Sequence, residues 1–585
     1  MICPELGCSN PKRFWSFIKS KRCDNNGVAP LTVNGISHVD EKTKADILNR
    51  QFASVFSQDD GVVPHLGQPC CPRMENITIK QNGIRKLLRD LKPHKASGPD
   101  HIQSRFLKET ADELAPAMCT LFQASLSQGH IPNEWRHANV APVFKKGDRS
   151  RASNYRPVSL TSICCKTMEH IMHSNILSHL EKHGILTDYQ HGFRKRRSTE
   201  TQLILTIQDL AKDLDEGKQI DAILLDFSKA FDKVSHRKLL AKLRHYGIDG
   251  PILAWVSDFL TDRTQTVVLN GRESDKAEVV SGVPQGTVLG PLLFLAYIND
   301  LPDGLGATPR LFADDCILYR IIDSVSDATS LQQDLDHLQL WEARWSMEFN
   351  PDKCEVLRVT NKRRPILATY NIHGRSLNQV DTAKYLGVKL HSKLQWKPHI
   401  DMISKKANST RAFLQRNLHG CQQQVKARCY TTYIRPTLEY AGAAWDPHTT
   451  GNKTIVERLE AVQKRCARFV TGDWRRTSSI SQMLTALNWQ SLQERRAHMR
   501  LHMLHNIIHG AVDIPAMAYL TPMSHSYDTR GAHIKYHLPH ARLNVYKNSF
   551  FPACISMWNR LPSSVSEATS AEVFRGRLAA VVLTH

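Results

Sequence analysis

Three carboxylates stand where the sequence predicts the ends of strands. Asp314 and Asp315 lie between two short apolar runs, a pattern that predicts a hairpin with the acidic pair at its turn. Asp226 closes the continuous apolar run of residues 222–225, which is typical of a buried strand. Neighbouring carboxylates at the lip of a buried hairpin repel each other and lose solvation, and a divalent cation removes both costs. The residues alone leave two interpretations open, an ordinary aspartate turn and a metal site.

If the two predicted strands are neighbours, Asp226 joins the Asp314–Asp315 pair in a site for two ions. Two ions about 3.5–4 Å apart can activate a 3′-hydroxyl and stabilise a leaving pyrophosphate. Mg²⁺ suits such a site because it takes few protein carboxylates and completes its shell with substrate phosphates. Phe231 follows five residues after Asp226. Its ring either packs in the core or stands near the metals, where it would block a sugar 2′-hydroxyl.

Strand and helix patterns alternate around these carboxylates. The predicted strands are residues 135–146, 221–227 and 266–269, and the predicted helices are residues 166–183 and 203–214. A further helix carries apolar side chains at spacings of 4, 3, 3 and 4, and this stripe predicts core packing: Leu331, Leu335, Leu338, Trp341 and Trp345. Beyond about residue 400 the pattern is largely helical.

The composition is that of a globular protein with an excess of positive charge. Hydrophobic residues make up 41% and charged residues 23% of 585 residues, enough for several cores. The 77 Lys and Arg against 56 Asp and Glu give a net charge of +21, which favours nucleic acid as a partner over a protein that is simply basic. Fourteen Cys without a C-x-x-C pair indicate neither a zinc ribbon nor a disulfide scaffold. The N-terminus lacks an apolar signal core, and prolines interrupt the most apolar window, so we expect an intracellular protein without a membrane partner.

Several motifs occur in an order that resembles one family. L-L-D-F-S-K-A-F-D-K-V (224–234), S-G-V-P-Q-G-T-V-L-G-P-L-L-F (281–294) and F-A-D-D (312–315) together resemble the reverse transcriptases of non-LTR (LINE-type, jockey-like) retrotransposons. The resemblance extends to five flanking motifs and to the tail at residues 549–562. The flanking motifs are K-A-S-G-P-D (95–100), N-Y-R-P-V-S-L (154–160), Q-H-G-F-R-K-R-R-S-T (190–199), N-P-D-K-C (350–354) and Y-L-G-V (385–388).

The resemblance implies an α+β fold of the right-hand polymerase type. Residues 1–75 would be an N-terminal extension and linker, and residues 76–220 the fingers. Residues 221–400 would be a palm with an antiparallel sheet, within a reverse transcriptase core at 135–390. Residues 401–585 would form a helical thumb and C-terminal region.

The resemblance also implies the catalytic roles. Asp226 and Asp314 would ligate two Mg²⁺ ions, with Mn²⁺ as an alternative, and Asp315 would complete the acidic cluster. Lys353 would be the general acid for the leaving pyrophosphate. Phe312 stands where the family often has Tyr, a difference that leaves the metal ligands intact.

Substrate contacts follow from the same resemblance. The implied nucleotide pocket comprises Lys146, Arg156, Phe231, Gln285 and Gly286. Phe231 would be the steric gate against ribonucleotides, while Lys146 and Arg156 would hold the triphosphate. The residues themselves do not decide between Lys145 and Lys146 for this contact.

The resemblance also suggests contacts with the template and primer. The basic stretch Arg194, Lys195, Arg196 and Arg197 would contact template phosphates. The alternative for this stretch is a solvated basic loop. Tyr385, Leu386 and Gly387 would form the primer grip.

The implied activity is RNA-directed DNA synthesis from a DNA primer, an RNA template and dNTPs, in the nucleus. The stretch before the fingers is too short for the endonuclease that usually precedes them in the family, so a nick would come from elsewhere. No RNase H pattern or zinc knuckle follows. Two alternatives remain: a truncated or domesticated remnant that binds RNA without polymerising, and a maturase-like or telomerase-like polymerase.

Overall fold

The computed structural model describes residues 27–447, 453–523 and 535–581 of the chain. The basic, aromatic-rich stretch at residues 12–22, for which the sequence suggests either RNA contact or a packed helix, lies outside these residues. The described part mixes strands and helices, so the predicted α+β class is confirmed. Within it, no helix combines the length and the apolar character needed to cross a lipid bilayer.

The strands form a central sheet, a second sheet and small hairpins. They are β1 (Leu31–Val33), β2 (Ile36–His38), β3 (His137–Phe144), β4 (Tyr155–Leu160), β5 (Ile220–Asp226), β6 (Arg263–Leu269), β7 (Arg272–Glu273) and β8 (Ala277–Val279). The later strands are β9 (Thr308–Phe312), β10 (Asp315–Ile321), β11 (Glu355–Val359), β12 (Asn371–Ile372), β13 (Arg375–Ser376), β14 (Asn378–Val380), β15 (Thr382–Tyr385) and β16 (Val388–His391).

Helices precede, separate and follow these strands. The first are α1 (Glu41–Ala53), α2 (Gln81–Arg89), α3 (Ser104–Glu109), α4 (Ala111–Gln128), α5 (Ile163–Lys182), α6 (Thr199–Asp215), α7 (His236–His245), α8 (Pro251–Leu260), α9 (Gly290–Ile298) and α10 (Val325–Trp345). Those after the strands are α11 (Lys397–Asn417), α12 (Gln423–Cys429), α13 (Arg435–Glu439), α14 (Lys453–Thr471), α15 (Ile480–Ala486), α16 (Leu492–Ile508), α17 (Ala516–Tyr519), α18 (Asn544–Lys547), α19 (Phe550–Trp558), α20 (Ser563–Ser566) and α21 (Ala571–Leu578).

The central sheet has the strand order β14-β11-β5-β10-β9, with β5 in the middle. β5 pairs antiparallel with both β10 and β11. Successive side chains of a strand point to opposite faces, and both faces of β5 are covered. Ile223 and Leu225 pack into one hydrophobic core, whereas Ala222 and Leu224 pack into the other. This explains the continuous apolar run of β5, and the predicted buried strand is confirmed.

The two cores differ in the elements that cover the sheet. The first contains α10, whose predicted apolar stripe from Leu331 to Trp345 is buried as expected. The second contains α6 together with helices of the C-terminal region, represented by Ile400, Leu501 and Ile555. The helical C-terminal region therefore shares a core with the central sheet and does not form a core of its own.

A second sheet, β4-β3-β6-β7 with β8 beside β6, is covered by the N-terminal residues. Leu48 and Phe52 of α1 pack with Val140 of β3 and Val267 of β6 in a third, smaller core. Asn49 accepts a hydrogen bond from Gln265 Nε2 at 3.0 Å. The expected division into an N-terminal extension and linker at residues 1–75 stays a prediction, and within this range α1 forms a layer on the second sheet.

Asp221 of β5 is the centre of a buried polar network, with 0% of its side chain exposed. It accepts hydrogen bonds from Arg358 Nε at 3.0 Å, Tyr370 Oη at 2.9 Å and Gln219 Nε2 at 3.1 Å. Asp221→Ala would leave the buried charge of Arg358 without its partner. Because an uncompensated buried charge is costly, we expect this change to lower the free energy of unfolding by about 3–5 kcal/mol. Denaturant unfolding measures this change.

Tyr370→Phe is the matched control, because it removes one hydrogen bond and leaves the Asp221–Arg358 ion pair intact. We expect it to cost about 1 kcal/mol. Equal losses in the two variants would contradict the assignment of Asp221 as the partner that compensates Arg358.

Candidate active site

The ends of two paired strands bring three carboxylates together. Asp226 ends β5 and Asp315 begins β10, and the two residues are direct cross-strand partners. Asp314 belongs to the two-residue turn between β9 and β10, as predicted. Ala313, the other turn residue, has φ of +53°, a conformation that usually requires Gly at this position of a hairpin. The structure thus places Asp226, Asp314 and Asp315 at one edge of the central sheet.

Burial, together with neighbouring negative charge, raises the affinity of Asp314 and Asp315 for protons. Burial raises the pKa of Asp314, and the charge of Asp226 raises it further. The Asp315 carboxylate reaches the surface, yet the surrounding protein removes enough water to raise its pKa to about 6, with contributions from the charges of Asp314 and Asp226. Both shifts mean that negative charge at this edge is destabilised, and a cation would compensate it.

A lysine currently supplies part of that compensation. Lys353 Nζ lies 2.8 Å from Asp226 Oδ2. Its turn is fixed to the end of β5, since Asn350 N donates to Asp226 O at 2.8 Å and Phe227 stacks on Phe349. The sequence therefore identified a lysine that the fold does bring to the carboxylates.

The donor set suits a hard divalent ion, because carboxylate oxygens are the ligands that Mg²⁺ prefers. Among residues 27–447, 453–523 and 535–581, however, no group of three or more His, Cys, Asp or Glu side chains is assembled in a geometry that could hold a metal ion. The ammonium group of Lys353 occupies one oxygen of Asp226. The chemistry of the three carboxylates fits the ion.

The structure distinguishes Lys145 from Lys146. Arg156 of β4 is the cross-strand partner of Val143 in β3, so Lys145, two residues beyond Val143, continues on the face of Arg156. Burial lowers the pKa of Lys145, as do the positive charges of Arg156 and Lys353, while the charge of Asp226 opposes them. Between the two lysines that the sequence left undecided, strand alternation turns Lys145 towards the carboxylates, and contact with a triphosphate stays a prediction.

Phe231 lies partly buried beside the carboxylate edge and is surrounded by aromatic rings. Its ring stacks on Phe294 at 4.3 Å between centroids and meets Phe193 edge-on at 6.3 Å. Phe193 is 54% exposed, so this aromatic group opens to solvent on one side. The ring of Phe231 is therefore packed against Phe294 on one side and borders the exposed Phe193 on the other.

The V-P-Q-G loop rests against β4. Gln285 O accepts from Ser159 N at 2.7 Å, and Gln285 Nε2 donates to Asp232 Oδ1 at 3.0 Å. Gly286 has φ of +111°, and a Cβ there would lie 2.6 Å from Ser159 O. The loop can therefore approach β4 this closely only with Gly at position 286.

The basic loop after β4 and α5 is used largely for structure. Arg197 is 6% exposed and forms ion pairs of 2.7 Å with both Asp188 and Asp513. Arg194 donates to the carbonyl oxygens of Leu186 and Thr187. The guanidinium groups of Arg194 and Arg197 are directed to protein acceptors, and their expected contact with template phosphates stays a prediction. Lys195 and Arg196 are the exposed cations of this loop.

The expected primer grip is a tight hairpin. Leu386 and Gly387 join β15 to β16 with φ of +44° and +86°. Tyr385 is buried, and its hydroxyl accepts a hydrogen bond from Gln202 Nε2 at 3.0 Å. The side chain of Tyr385 thus anchors the hairpin in the core, and Leu386 and Gly387 form the turn; the expected contact of these residues with a primer stays a prediction.

Three functional candidates were missed at the sequence level. Asp232 is buried, and burial raises the pKa of this partner of Gln285; its signal was its place in D-F-S-K-A-F-D. Gln190 accepts hydrogen bonds from Ala313 N at 2.8 Å and Gly192 N at 2.7 Å. Glu169 of α5 accepts from the backbone at the start of α9, and no local pattern distinguishes this glutamate from any other in a helix.

Comparison with known proteins agrees with this geometry. Residues 143–390, from β3 to β16, match the family model described as reverse transcriptase (RNA-dependent DNA polymerase). The chain contains a reverse transcriptase domain. This domain includes all three carboxylates of the edge and Lys353, and the expected resemblance to the reverse transcriptases of jockey-like mobile elements is confirmed.

The relatives carry names of mobile elements. The chain is 28% identical over 439 residues to "Probable RNA-directed DNA polymerase from transposon X-element" of Drosophila melanogaster, covering 72% of this chain and 46% of that protein. It is 27% identical to "RNA-directed DNA polymerase from mobile element jockey" of the same species, covering 68% and 44%. A retrotransposable element R2 polyprotein of Popillia japonica is 27% identical over 45% of this chain and 39% of its own length. The chain spans about half the length of the curated relatives it matches first.

Lys145 and Lys146 provide a matched test of the site's positive side. We expect Lys145→Met to weaken the binding of a non-hydrolysable deoxynucleoside triphosphate by about 10-fold, since it removes one charge-assisted phosphate contact. Lys146→Met should change the affinity by less than about 2-fold, because surface charges away from a ligand are screened. Titration calorimetry measures both, and a larger loss in Lys146→Met would reverse the assignment.

Proposed function

We propose that the chain is an RNA-directed DNA polymerase, which extends a primer 3′-hydroxyl with dNTPs on an RNA template. The observation that carries the proposal is the meeting of Asp226, Asp314 and Asp315 at one edge of the reverse transcriptase domain's sheet. Lys145 and Arg156 lie close enough to lower the raised pKa values of Asp314 and Asp315 in part. Negative charge for metal ions and positive charge for a triphosphate are thus adjacent, as nucleotidyl transfer requires.

The right-hand layout follows as part of the proposal. The central sheet with β5, β9 and β10 would be the palm. The second sheet, with α1 packed on it, would belong to the fingers. The helices from α11 onwards would supply the thumb and C-terminal region. This division would add residues 31–53 of the expected N-terminal extension, and β6 to β8 of the expected palm, to the fingers.

Asp226, Asp314 and Asp315 would hold the two Mg²⁺ ions. When bound, these ions supply activation of the primer hydroxyl and stabilisation of the leaving pyrophosphate. Lys353 would then exchange its contact with Asp226 for one with the leaving group. In the reaction the primer 3′-hydroxyl would release its proton to solvent as its oxygen bonds to the α-phosphorus. The bond from that phosphorus to the bridging oxygen would break, and Lys353 Nζ would donate a proton to the departing pyrophosphate.

The remaining pocket residues would select and orient the nucleotide. Lys145 and Arg156 would neutralise the triphosphate, Arg156 with its planar fork and Lys145 as a point charge. Gln285, held by Asp232, and Gly286, against β4, would form the floor of the pocket. Phe231 would exclude a ribose 2′-hydroxyl, supported from behind by Phe294.

Primer extension on an RNA template with Mg²⁺ tests the activity. Asp314→Asn should lower the rate at least about 100-fold, because even groups that only support metal ligands contribute 10–100-fold. Asp323→Asn, at a mostly exposed carboxylate outside the site, is the control and should retain wild-type activity. If wild-type protein extends no more than Asp314→Asn, polymerisation is excluded. The alternative, an RNA-binding protein that does not polymerise, then remains, and the net charge of +21 favours it.

Sugar discrimination tests Phe231. We expect Phe231→Ala to raise the ratio of ribonucleotide to deoxynucleotide incorporation by about 10-fold or more, since a filled volume no longer excludes the 2′-hydroxyl. Phe294→Leu is the control, because it disturbs the same aromatic stack but leaves the Phe231 ring in place. An unchanged ratio in Phe231→Ala, or an equal rise in Phe294→Leu, would assign Phe231 to packing alone.

A further inference from the structure

The loop at residues 189–197, here the brace loop, runs along the outer side of β9. Leu311 N donates to Tyr189 O at 2.9 Å, and His191 N donates to Leu311 O at 2.8 Å. These two hydrogen bonds attach the brace loop to the end of β9, just before the acidic pair. Phe193, in the same loop, touches the ring of Phe231. The brace loop therefore borders both the carboxylates and the nucleotide pocket.

Gln190 connects the brace loop to the acidic turn itself. Its side chain is 3% exposed, and its Oε1 accepts from Ala313 N at 2.8 Å and from Gly192 N at 2.7 Å. Ala313 has positive φ, so this hydrogen bond holds the backbone of the turn in a conformation that Ala disfavours. Asp314 is the next residue, and its direction depends on the same turn.

Gly192 permits the close contact between loop and turn. A Cβ at this position would lie 2.4 Å from Ala313 N and 3.0 Å from Gln190 Oε1. Real Cβ atoms do not approach backbone nitrogen so closely, so any side chain here would push the two segments apart. The contact between the brace loop and the acidic turn thus depends on two residues. Gly192 leaves room for the close approach, and Gln190 accepts the hydrogen bond from Ala313.

The far end of the brace loop is fastened to the C-terminal region. Arg197 Nε donates to Asp513 Oδ2 at 2.7 Å, and Asp513 N donates to Arg196 O at 2.9 Å. Arg196 Nη1 also donates to Gly510 O at 3.2 Å. Residues 510–513 follow α16, more than a hundred residues beyond the matched domain. A continuous set of contacts therefore joins this segment to the turn that carries Asp314.

We propose that Gln190 is a positioning residue for Asp314, and that residues 510–513 complete the active site by fixing the brace loop. This inference rests on the proposed polymerase function for its kinetic consequence. Its structural part, the support of the 313–314 turn by Gln190, is independent of that function. In this arrangement Arg197 serves the active site through Asp513 and does not bind template.

Gln190→Leu tests the hydrogen bond, because Leu keeps most of the volume and removes the acceptor. We expect kcat for dNTP incorporation to fall about 10-fold to 100-fold, since small displacements of a reacting group have effects of this size. The Kd for RNA should stay within about 2-fold, because the proposed contacts with RNA do not involve Asp314. The amide protons of residues 311–315 should exchange faster with solvent, as Ala313 N loses its partner.

Gln463→Leu is the matched control. Gln463 is also buried, accepts a hydrogen bond from Tyr430 and donates to Gln490 O at 2.9 Å, but it lies in α14. Its loss should lower stability without changing kcat or the exchange at residues 311–315. Wild-type kcat and wild-type exchange in Gln190→Leu would overturn the proposal, and so would equal effects in the two variants.

The Arg197–Asp513 pair separates bracing from template binding. Asp513 is partly exposed, so Asp513→Asn should fold, and we expect it to lower kcat about 3-fold to 10-fold, as does Arg197→Ala, with no further loss in the double variant. If Arg197 instead binds template phosphates, Arg197→Ala weakens RNA binding and Asp513→Asn strengthens it, which overturns the inference.

If wild-type protein does not polymerise, the proposed function fails. Amide exchange at residues 311–315 in the Gln190 and Asp513 variants then decides by itself whether the brace loop supports the acidic turn.

Discussion

The antiparallel pairing of β5 with β10 is the constraint on which the site depends. The register of this pair sets Asp226 opposite Asp315, and the short turn after β9 leaves Asp314 beside them. A shift of one residue would turn every side chain to the other face, moving Asp226 away and exchanging the contents of two hydrophobic cores. The same alternation that buries Ile223 and Leu224 on opposite faces therefore also fixes the carboxylates. Stability and function are set by one register.

The carboxylate edge is costly for the folded chain. Burial and mutual repulsion raise the pKa values of Asp314 and Asp315, so their ionised forms are less stable than in water. Lys145 and Arg156 partly offset that cost, and Lys353 pairs with the neighbouring Asp226. Positive φ at Ala313 adds backbone strain at the same place. Strain and unfavourable charge concentrated at one edge are common where a protein positions reacting groups.

Side-chain type alone did not separate residues that face a substrate from residues that hold the scaffold. Arg197 belongs to a basic run that suggests phosphate binding, yet two carboxylates enclose it, one of them from a segment more than three hundred residues away. Tyr385 was expected at a primer, but its hydroxyl is bonded to Gln202 in the core. Lys146 was expected at a triphosphate, but the neighbouring Lys145 is the lysine that faces the carboxylates. A hydrogen-bond partner from a distant part of the chain leaves no pattern in the local sequence. The face to which a side chain points just beyond the end of a strand, as for Lys145, depends on the pairing with the neighbouring strand.

The sequence by itself determined the α+β class, the strand–turn–strand around Asp314 and the buried strand ending at Asp226, because short-range periodicity encodes them. The order of its motifs also determined the resemblance to reverse transcriptases. It did not determine that α1 is a layer of the second sheet, which depends on apolar contacts with strands about a hundred and more residues away. Nor did it reveal Gln190, Glu169 or the role of Asp513. Those assignments required the tertiary structure, since they arise where segments distant in sequence meet and satisfy each other's buried polar groups.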